Sequence, residues 1–285
     1  MVEFQVGDIE KILACYAQRD IRERVPQITH RMALVESWDP EPGARILEIG
    51  CGQGDTTAVL ASVIGETGKV IAIDKAPPDY GLPPLSEAHK AIKSSTFADR
   101  IEFRLSTDLL SPQISFRDGE FDLAIFSHCS WYLSTPRELF RLFSRVRPWA
   151  KRLGYAEWDI VPQNIMQVPH MMAALLQVNI KALCPEIEEW NIRSLIIPEE
   201  ARRMAEQAGW RIVEERELDT SALMWDGKGL EIHMALKLSE QFIRTDNFQI
   251  PDFARDFISA QARMLEQFAT HGNQMSLNTY SFLAE

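Results

Sequence analysis

The stretch ILEIGCGQGDTT, Ile46 to Thr57, constrains the fold more than any other part of the chain. An almost wholly apolar run, Arg45 to Ile49 with Glu48 as its one acid, leads into Gly50, Gly52 and Gly54 and then into Asp55, Thr56 and Thr57. Such a run suits a strand covered on both faces of a parallel sheet. Beyond it, Val59, Leu60, Val63 and Ile64 fall on one stripe of a helix that Asp55 can cap and Gly65 can end. Strand, glycine turn and helix N-terminus together turn backbone N–H groups and a helix dipole toward a ligand, with no Cβ in the way.

The alternation then repeats. Lys69 to Ile73 reads as strand two, Leu85 to Ser95 as a helix, Ile101 to Leu105 as strand three and Phe121 to Phe126 as strand four. Thr135, Pro136 and Glu138 make a capping-box start to a helix through Arg147, with Leu139, Leu142, Phe143 and Val146 as its buried stripe; Leu153 to Trp158 is strand five. This is a βαβ series. Gln163 to Leu183 interrupts it with a long Met-rich helical segment where a plain sheet protein has a short connection. The core resumes with a helix from Pro198 to Ala208, closed by Gly209, and strand six from Arg211 to Leu218. A second helical insertion, Trp225 to Gly272, precedes a last strand from Met275 to Leu283.

With 285 residues, 46% of them hydrophobic, the chain can build one large domain or a domain with a substantial insertion. Cys15, Cys51, Cys129 and Cys184 are scattered without a CxxC pair, which fits a reducing cytoplasm. Neither a basic leader nor a membrane-length apolar run is found, so a soluble protein without a membrane partner is expected. A net charge of −11 disfavours nucleic acid and favours a small or neutral substrate.

Asp74 stands at the end of strand two, about twenty residues beyond the glycines, where an acid reaches the hydroxyls of an adenosine ribose. The dinucleotide fingerprint GxGxxG would need a third glycine at position 55, which is Asp, so nicotinamide or flavin binding is weakened. In the form E-x-G-x-G-x-G, and from Ala44 to Trp158, the chain resembles the class I S-adenosylmethionine-dependent methyltransferases. The segments FRLSTDLL, Phe103 to Leu110, and FDLAIFSHCSWYL, Phe121 to Leu133, look like two further motifs of that family. The resemblance implies S-adenosyl-L-methionine as cofactor and S-adenosyl-L-homocysteine as product. It lays Gly50, Gly52 and Gly54 along the methionine part, with Glu48 supporting the loop and the amino end. Asp74 matches the ribose acid and Asp108 the acceptor for the adenine amino group, with Lys75, Leu109 and Ser127 completing the cofactor site.

Methyl transfer is an in-line displacement, so the protein mainly aligns the partners and excludes water; a base is needed only where the acceptor loses a proton. His128, just past strand four on the ligand-binding edge, is the first candidate for base or positioning residue, against a loop-shaping histidine. Asp159, past strand five, can orient it or be a solvated loop acid. Trp131 and Tyr132 can wall an acceptor pocket or pack in the core. His30 and His170 lie in segments expected to cover the cofactor, as structural residues first, with His170 also set among the pocket residues. The run Ile165, Met166, Met171, Met172, Leu175, Leu176 reads as the buried face of a lid helix, and its apolar character points to a hydrophobic or aromatic acceptor. The chain lacks the [D/N]-P-P-[Y/F] run of DNA amino-methylating enzymes and the Pro-Cys pair of cytosine C5 enzymes. Metal-dependent catechol-type enzymes carry acids after strands four and five followed by Asn, where this chain has His128 and then Asp159 followed by Ile160, so no metal is expected.

The expected fold is α/β, a Rossmann-like doubly wound sheet of seven strands with the last antiparallel and with helical lid insertions. The expected layout is an N-terminal helical cap over 1–43, a cofactor-binding core over 44–160, a lid over 161–195, a core helix and strand over 196–224, a second helical insertion over 225–272 and a final strand over 273–285. The expected activity is methyl transfer to a small molecule, with a homodimer possible. The alternatives are a protein of this fold that uses the cofactor as scaffold for a reaction such as a cyclisation, and a non-catalytic binding protein.

Overall fold

The computed structural model describes the chain except residues 1, 3, 5–6, 17–20, 186–191, 221–228, 246–249 and 271–273, and the side chains of residues 21–23. Helices α1 (Asp8–Leu13) and α2 (Ile21–Trp38) lead into β1 (Arg45–Ile49), α3 (Asp55–Val63), β2 (Lys69–Ile73), α4 (Leu85–Ile92), β3 (Ile101–Arg104), β4 (Phe121–Ser127), α5 (Pro136–Val146) and β5 (Ala150–Trp158). Then come α6 (Val168–Leu183), α7 (Pro198–Gln207), β6 (Ile212–Leu218), α8 (Leu230–Arg244), α9 (Asp252–Thr270) and β7 (Thr279–Ala284). The sheet has seven strands in the order β3-β2-β1-β4-β5-β7-β6. The first five are mutually parallel and β7 runs antiparallel to both its neighbours, as expected.

Each face of the sheet carries its own core. On one, Ile46, Val70, Leu123 and Ile125 meet Ile28, Leu34, Val35 and Trp38 of α2 and Val59 and Leu60 of α3. On the other, Leu47, Ile71, Ala124 and Phe126 meet Leu139, Phe143 and Val146 of α5 and Ala201 and Ala205 of α7. Strands β1 and β2 alternate between these two cores residue by residue, which is why their sequences are apolar throughout. A third cluster joins α6, α8 and α9 through Ala173, Leu176, Ile180, Leu238, Phe242, Ile258 and Leu265.

Several local expectations are corrected. The cap of α3 is Gly54, in a left-handed conformation, while Asp55 is the first helical residue and pairs instead with Arg24 at 2.8 Å. Thr135 makes no side-chain cap bond to α5; Glu138 does reach back, accepting from the Ser134 N–H at 3.0 Å. Strand β5 begins three residues before Leu153, at Ala150, because the parallel register with β4 holds Lys151 and Arg152 extended even though they are polar. Strand β7 starts at Thr279 rather than Met275. The Met-rich run does not form one buried face: Ile165, Met166 and Leu175 are exposed, and α6 buries Pro169, His170, Ala173, Ala174, Leu176, Gln177 and Ile180. The expected limits of the second insertion, Trp225 and Gly272, lie outside the described residues.

One contact shows how tightly α2 is seated. Trp38 is fully buried, its indole N–H donates to Ser281 Oγ on β7 at 3.0 Å, and a Cβ on Gly154 of β5 would lie 2.9 Å from its Cγ. Gly154→Val is therefore expected to overpack this site and cost about 1–3 kcal/mol. Urea denaturation monitored by Trp fluorescence checks it; a midpoint equal to wild type would mean that α2 is free to shift.

Candidate active site

Strand order reverses at β1, which lies between β2 and β4, so a crevice opens beyond the carboxyl ends of these strands. The glycine turn lines it. The N–H groups of Gly50 and Cys51 both donate to Ile73 O of β2, at 2.8 and 3.2 Å, folding the turn back onto the sheet. Gly50, Gly52 and Gly54 all have positive φ, +71°, +50° and +90°, but what surrounds them differs. A Cβ on Gly50 would meet Cys129 Cβ at 2.5 Å and one on Gly54 would meet Ile92 Cδ1 at 2.6 Å, whereas one on Gly52 would meet nothing within 4 Å. Packing alone requires two of the glycines; Gly52 opens onto free space.

Gly52 is pinned on both sides. Its N–H donates to Asp74 Oδ2 at 2.8 Å, and Asp74 Oδ1 accepts from the Ala76 N–H at 2.8 Å. Its carbonyl is 2.7 Å from His89 Nε2, so the ring donates there from Nε2, and the ring stacks on Phe103 with centroids 3.7 Å apart. Burial holds His89 below the ordinary imidazole range, opposed by the Gly52 carbonyl. His89 was not found from sequence, because only the tertiary docking of α4 brings it to the turn.

Glu48 is buried on β1 and accepts from Thr57 Oγ1 at 2.5 Å. Burial pushes its carboxyl up to about 8, against the pull of the Thr57 hydroxyl. Ser127, also buried, accepts from Thr56 Oγ1 at 3.2 Å. Asp108 accepts from the Leu110 N–H at 2.9 Å and lies 3.1 Å from Lys75 Nζ, which also approaches Glu138 at 3.6 Å. Partial burial raises the Asp108 carboxyl, but the Leu110 N–H and Lys75 outweigh it and hold the group below its usual value. Leu109 is buried in the sheet core.

His128 sits one residue past β4 in a left-handed conformation, φ +48°, with its N–H on Ala156 O at 2.8 Å. Strain of this kind in a non-glycine residue persists only where the surroundings hold it. Here they do: Nε2 lies 3.0 Å from His30 Nε2 of α2 and 3.4 Å from Thr279 Oγ1 of β7, while Nδ1 is 3.4 Å from Glu157 Oε1 of β5. Trp158 packs on both rings, 4.6 Å from His128 and stacked 6.4 Å from His30. Burial, then the Arg31 and His170 charges, hold His128 well below the ordinary imidazole value; burial, Arg31 and His128 do the same to His30. Both rings are neutral at physiological pH. The carboxylate beside Nδ1 favours the Nδ1–H tautomer of His128, so its Nε2 accepts from His30.

The acid beside His128 is thus Glu157, not Asp159. Glu157 Oε2 accepts from Ser130 N–H and Oγ–H and from the Trp131 N–H, at 2.9, 2.8 and 3.2 Å, and Oε1 from the Trp158 N–H at 3.1 Å. Burial raises its carboxyl, and these four donors oppose the rise. Asp159 closes its own turn by accepting from the Val161 N–H at 3.0 Å. Trp131 is buried against Trp158, Ala174 and Leu277, whereas Tyr132 is exposed. His170 of α6 is fully buried, Nδ1 accepting from the Leu277 N–H at 3.0 Å and the ring edge-on to Trp158 at 5.1 Å. Burial lowers it to about 3. Its Nε2, which carries the proton in this tautomer, has no partner among the described residues.

A family model described as a methyltransferase domain matches residues 40–209. The chain belongs to the class I S-adenosylmethionine-dependent methyltransferases. Among relatives of this methyltransferase, methyltransferase phomM' of Diaporthe leptostromiformis is 29% identical over 160 residues, 42% of this chain and 41% of that one. The chain thus spans about two-fifths of the length of the curated relatives it matches. A structure described as a cyclopropane-fatty-acyl-phospholipid synthase-like protein from Lactobacillus casei ATCC 334 is similar over 98% of this chain and 99% of its own, at 28% identity and TM-score 0.85. The [4+2]-cyclase SpnF shares the fold, at 15% identity and TM-score 0.54 over 98% and 93% of the two chains. The methyltransferase residues fit the family's cofactor, S-adenosylmethionine, in two respects: the free space at Gly52 that a Cβ would fill, and a buried acid, Glu48, with a single side-chain donor. Among the described residues no group of three or more His, Cys, Asp or Glu is placed to hold a metal ion, and no helix is long and apolar enough to cross a membrane.

Proposed function

We propose that this methyltransferase acts on a small hydrophobic or aromatic molecule, and that the His128–His30 pair receives a proton from the acceptor. The observation that carries the proposal is the neutral imidazole pair, 3.0 Å apart, backed by Glu157 at the carboxyl edge of the sheet. When bound, S-adenosylmethionine supplies the methyl group. Glu48 holds its amino end, Gly50, Gly52 and Gly54 give room for its methionine part, and Asp74 accepts from the ribose hydroxyls through lone pairs that the Gly52 and Ala76 N–H groups leave open. Asp108, with Lys75 and Leu109, takes the adenine side, and Ser127, at the end of β4, completes the cofactor site.

Two imidazoles sharing one hydrogen bond bind an added proton as a unit, and Glu157 stabilises the cation so formed. Trp158, Trp131 and His170 exclude water from that side, and helices α6 and α8 of the two insertions close it as a lid. The apolar cluster of Trp131, Trp158, Ala174 and Leu277 beside the pair, and the description carried by the Lactobacillus casei structure, both favour an apolar acceptor. The net charge of −11 favours a small molecule over nucleic acid, and four free cysteines fit the cytoplasm. The test is stoichiometric formation of S-adenosylhomocysteine with a methylated product over a panel of aromatic and aliphatic acceptors. Turnover of an acceptor without S-adenosylhomocysteine would instead assign the cofactor a scaffold role.

The state of Glu48 gives a second measurable outcome. With its carboxyl at about 8, it is mostly protonated at pH 7, and it must ionise to receive an ammonium group. Cofactor binding at pH 7 is therefore expected to release about 0.9 proton, and affinity to rise with pH until the free protein is itself ionised. Calorimetry in two buffers of different ionisation heat reads the release. Glu48→Gln should abolish it; an unchanged release in that variant removes Glu48 from the amino end.

A further inference from the structure

Helix α9 carries two apolar stripes. One, Ala254, Ile258, Ala262 and Leu265, is buried against α6 and α8. The other is exposed: Phe253 (70%), Phe257 (49%), Met264 (52%) and Phe268 (40%). At 3.6 residues per turn their spacing keeps all four within an arc of about 60°. The exposed portions amount to about 400 Å² of apolar surface, the size of a monomer's largest patch, which is often a functional one.

The stripe is symmetric in sequence. A two-fold axis placed between Ala260 and Gln261, with two α9 helices antiparallel, sets Phe253 opposite Phe268 of the second copy and Phe257 opposite its Met264. Ala260, small and exposed on the same face, lets the backbones approach at the axis. The flanking charges fall close to the same register: Asp256 and Arg263, both exposed along one side of the stripe, come opposite each other across the axis with an axial offset of about 3 Å, twice, which their long side chains can span. Self-complementarity of this kind is what an isologous interface demands. A lipid-facing helix would carry Lys and Arg along its polar flank, whereas α9 presents Asp252, Asp256 and Glu266 beside Arg255 and Arg263.

We infer that this face of α9 is a homodimer interface, in which α9 packs antiparallel on α9 of a second copy about an axis at Ala260 and Gln261. The two stripes contribute about 800 Å², and the flanking residues bring the total toward the lower limit of about 1,200 Å² for a specific interface, so a weak, reversible dimer is expected. The stripe is exposed and separate from the buried stripe that packs on α6 and α8, so its variants should leave the fold of the protomer intact.

The experiment is sedimentation velocity across the micromolar range on the wild type, Phe257→Glu, Asp256→Arg, Arg263→Asp and the double exchange Asp256→Arg with Arg263→Asp. The wild type should dimerise. Phe257→Glu should be monomeric, each single charge exchange should weaken the dimer at least tenfold, and the double exchange should restore it, since Asp256 meets Arg263 only in the antiparallel register. A wild type that is monomeric throughout, a dimer indifferent to the single exchanges, or a double exchange that fails to recover overturns the assignment. A monomer that co-sediments with phosphatidylcholine vesicles also overturns it and gives the face to lipid.

Discussion

Gly52→Val is expected to lose S-adenosylmethionine binding while the protein stays folded. A Cβ at this position meets no atom within 4 Å beyond its chain neighbours, so the side chain is expected to extend into the space proposed for the cofactor rather than into the core. Its φ of +50° is costly for a β-branched residue, about 1–3 kcal/mol, which should lower the melting temperature by a few degrees. The neighbouring glycines provide the contrast. Valine at Gly50 or Gly54 would drive into Cys129 or Ile92, so those variants should lose stability and binding together. Calorimetry with S-adenosylhomocysteine, read beside thermal melts, separates the cases; cofactor affinity at the wild-type level in Gly52→Val would make the whole turn a packing device.

His128→Asn should lower kcat by about 10²–10⁴-fold with little change in cofactor affinity. Asn tolerates the left-handed backbone at this position, so the loop is retained while the imidazole is removed. The pH profile is diagnostic. Burial and Arg31 depress both members of the histidine pair, with His170 adding to this at His128 and His128 at His30, so the free base persists through neutrality and the acid limb of wild-type kcat should fall well below the ordinary imidazole value near 6.5. In His128→Asn that limb should shift or vanish, and His30→Asn should move it too. A profile identical in all three proteins would reduce the pair to a structural role.

Strands β1 and β2 were legible to the residue because burial on both faces leaves no room for polar side chains, and the glycine turn and Asp74 follow from the strand ends. Where a segment is held extended by register rather than by its own apolarity, as at Lys151 and Arg152, sequence marked the boundary late. The distribution of work among the three glycines was not legible, since only the approach of Cys129 and Ile92 separates them. Glu157 left a signal that went unused: a lone acid inside the otherwise apolar run GYAEW of a central strand must find donors or a cation, just as Glu48 does on β1. His30 left none. Its position against His128 depends on how α2 docks over β7, and nothing within the helix encodes that.

The antiparallel strand β7 has a consequence for how the molecule assembles. Strands β1 to β5 can pair from residues 45–158, with crossovers short enough to close early. Strand β6 cannot join them, because its only partner is β7, which the chain supplies after α8 and α9. Completion of the sheet is a long-range closure that waits for two helices to collapse, and the β6–β7 edge it creates pairs with the rest of the sheet through β5, with Trp38 of α2 bonded to Ser281 across it. Thr279, which touches both histidines, opens β7. The end of the crevice that holds His30 and His128 is therefore expected to form late and to open early when that edge frays.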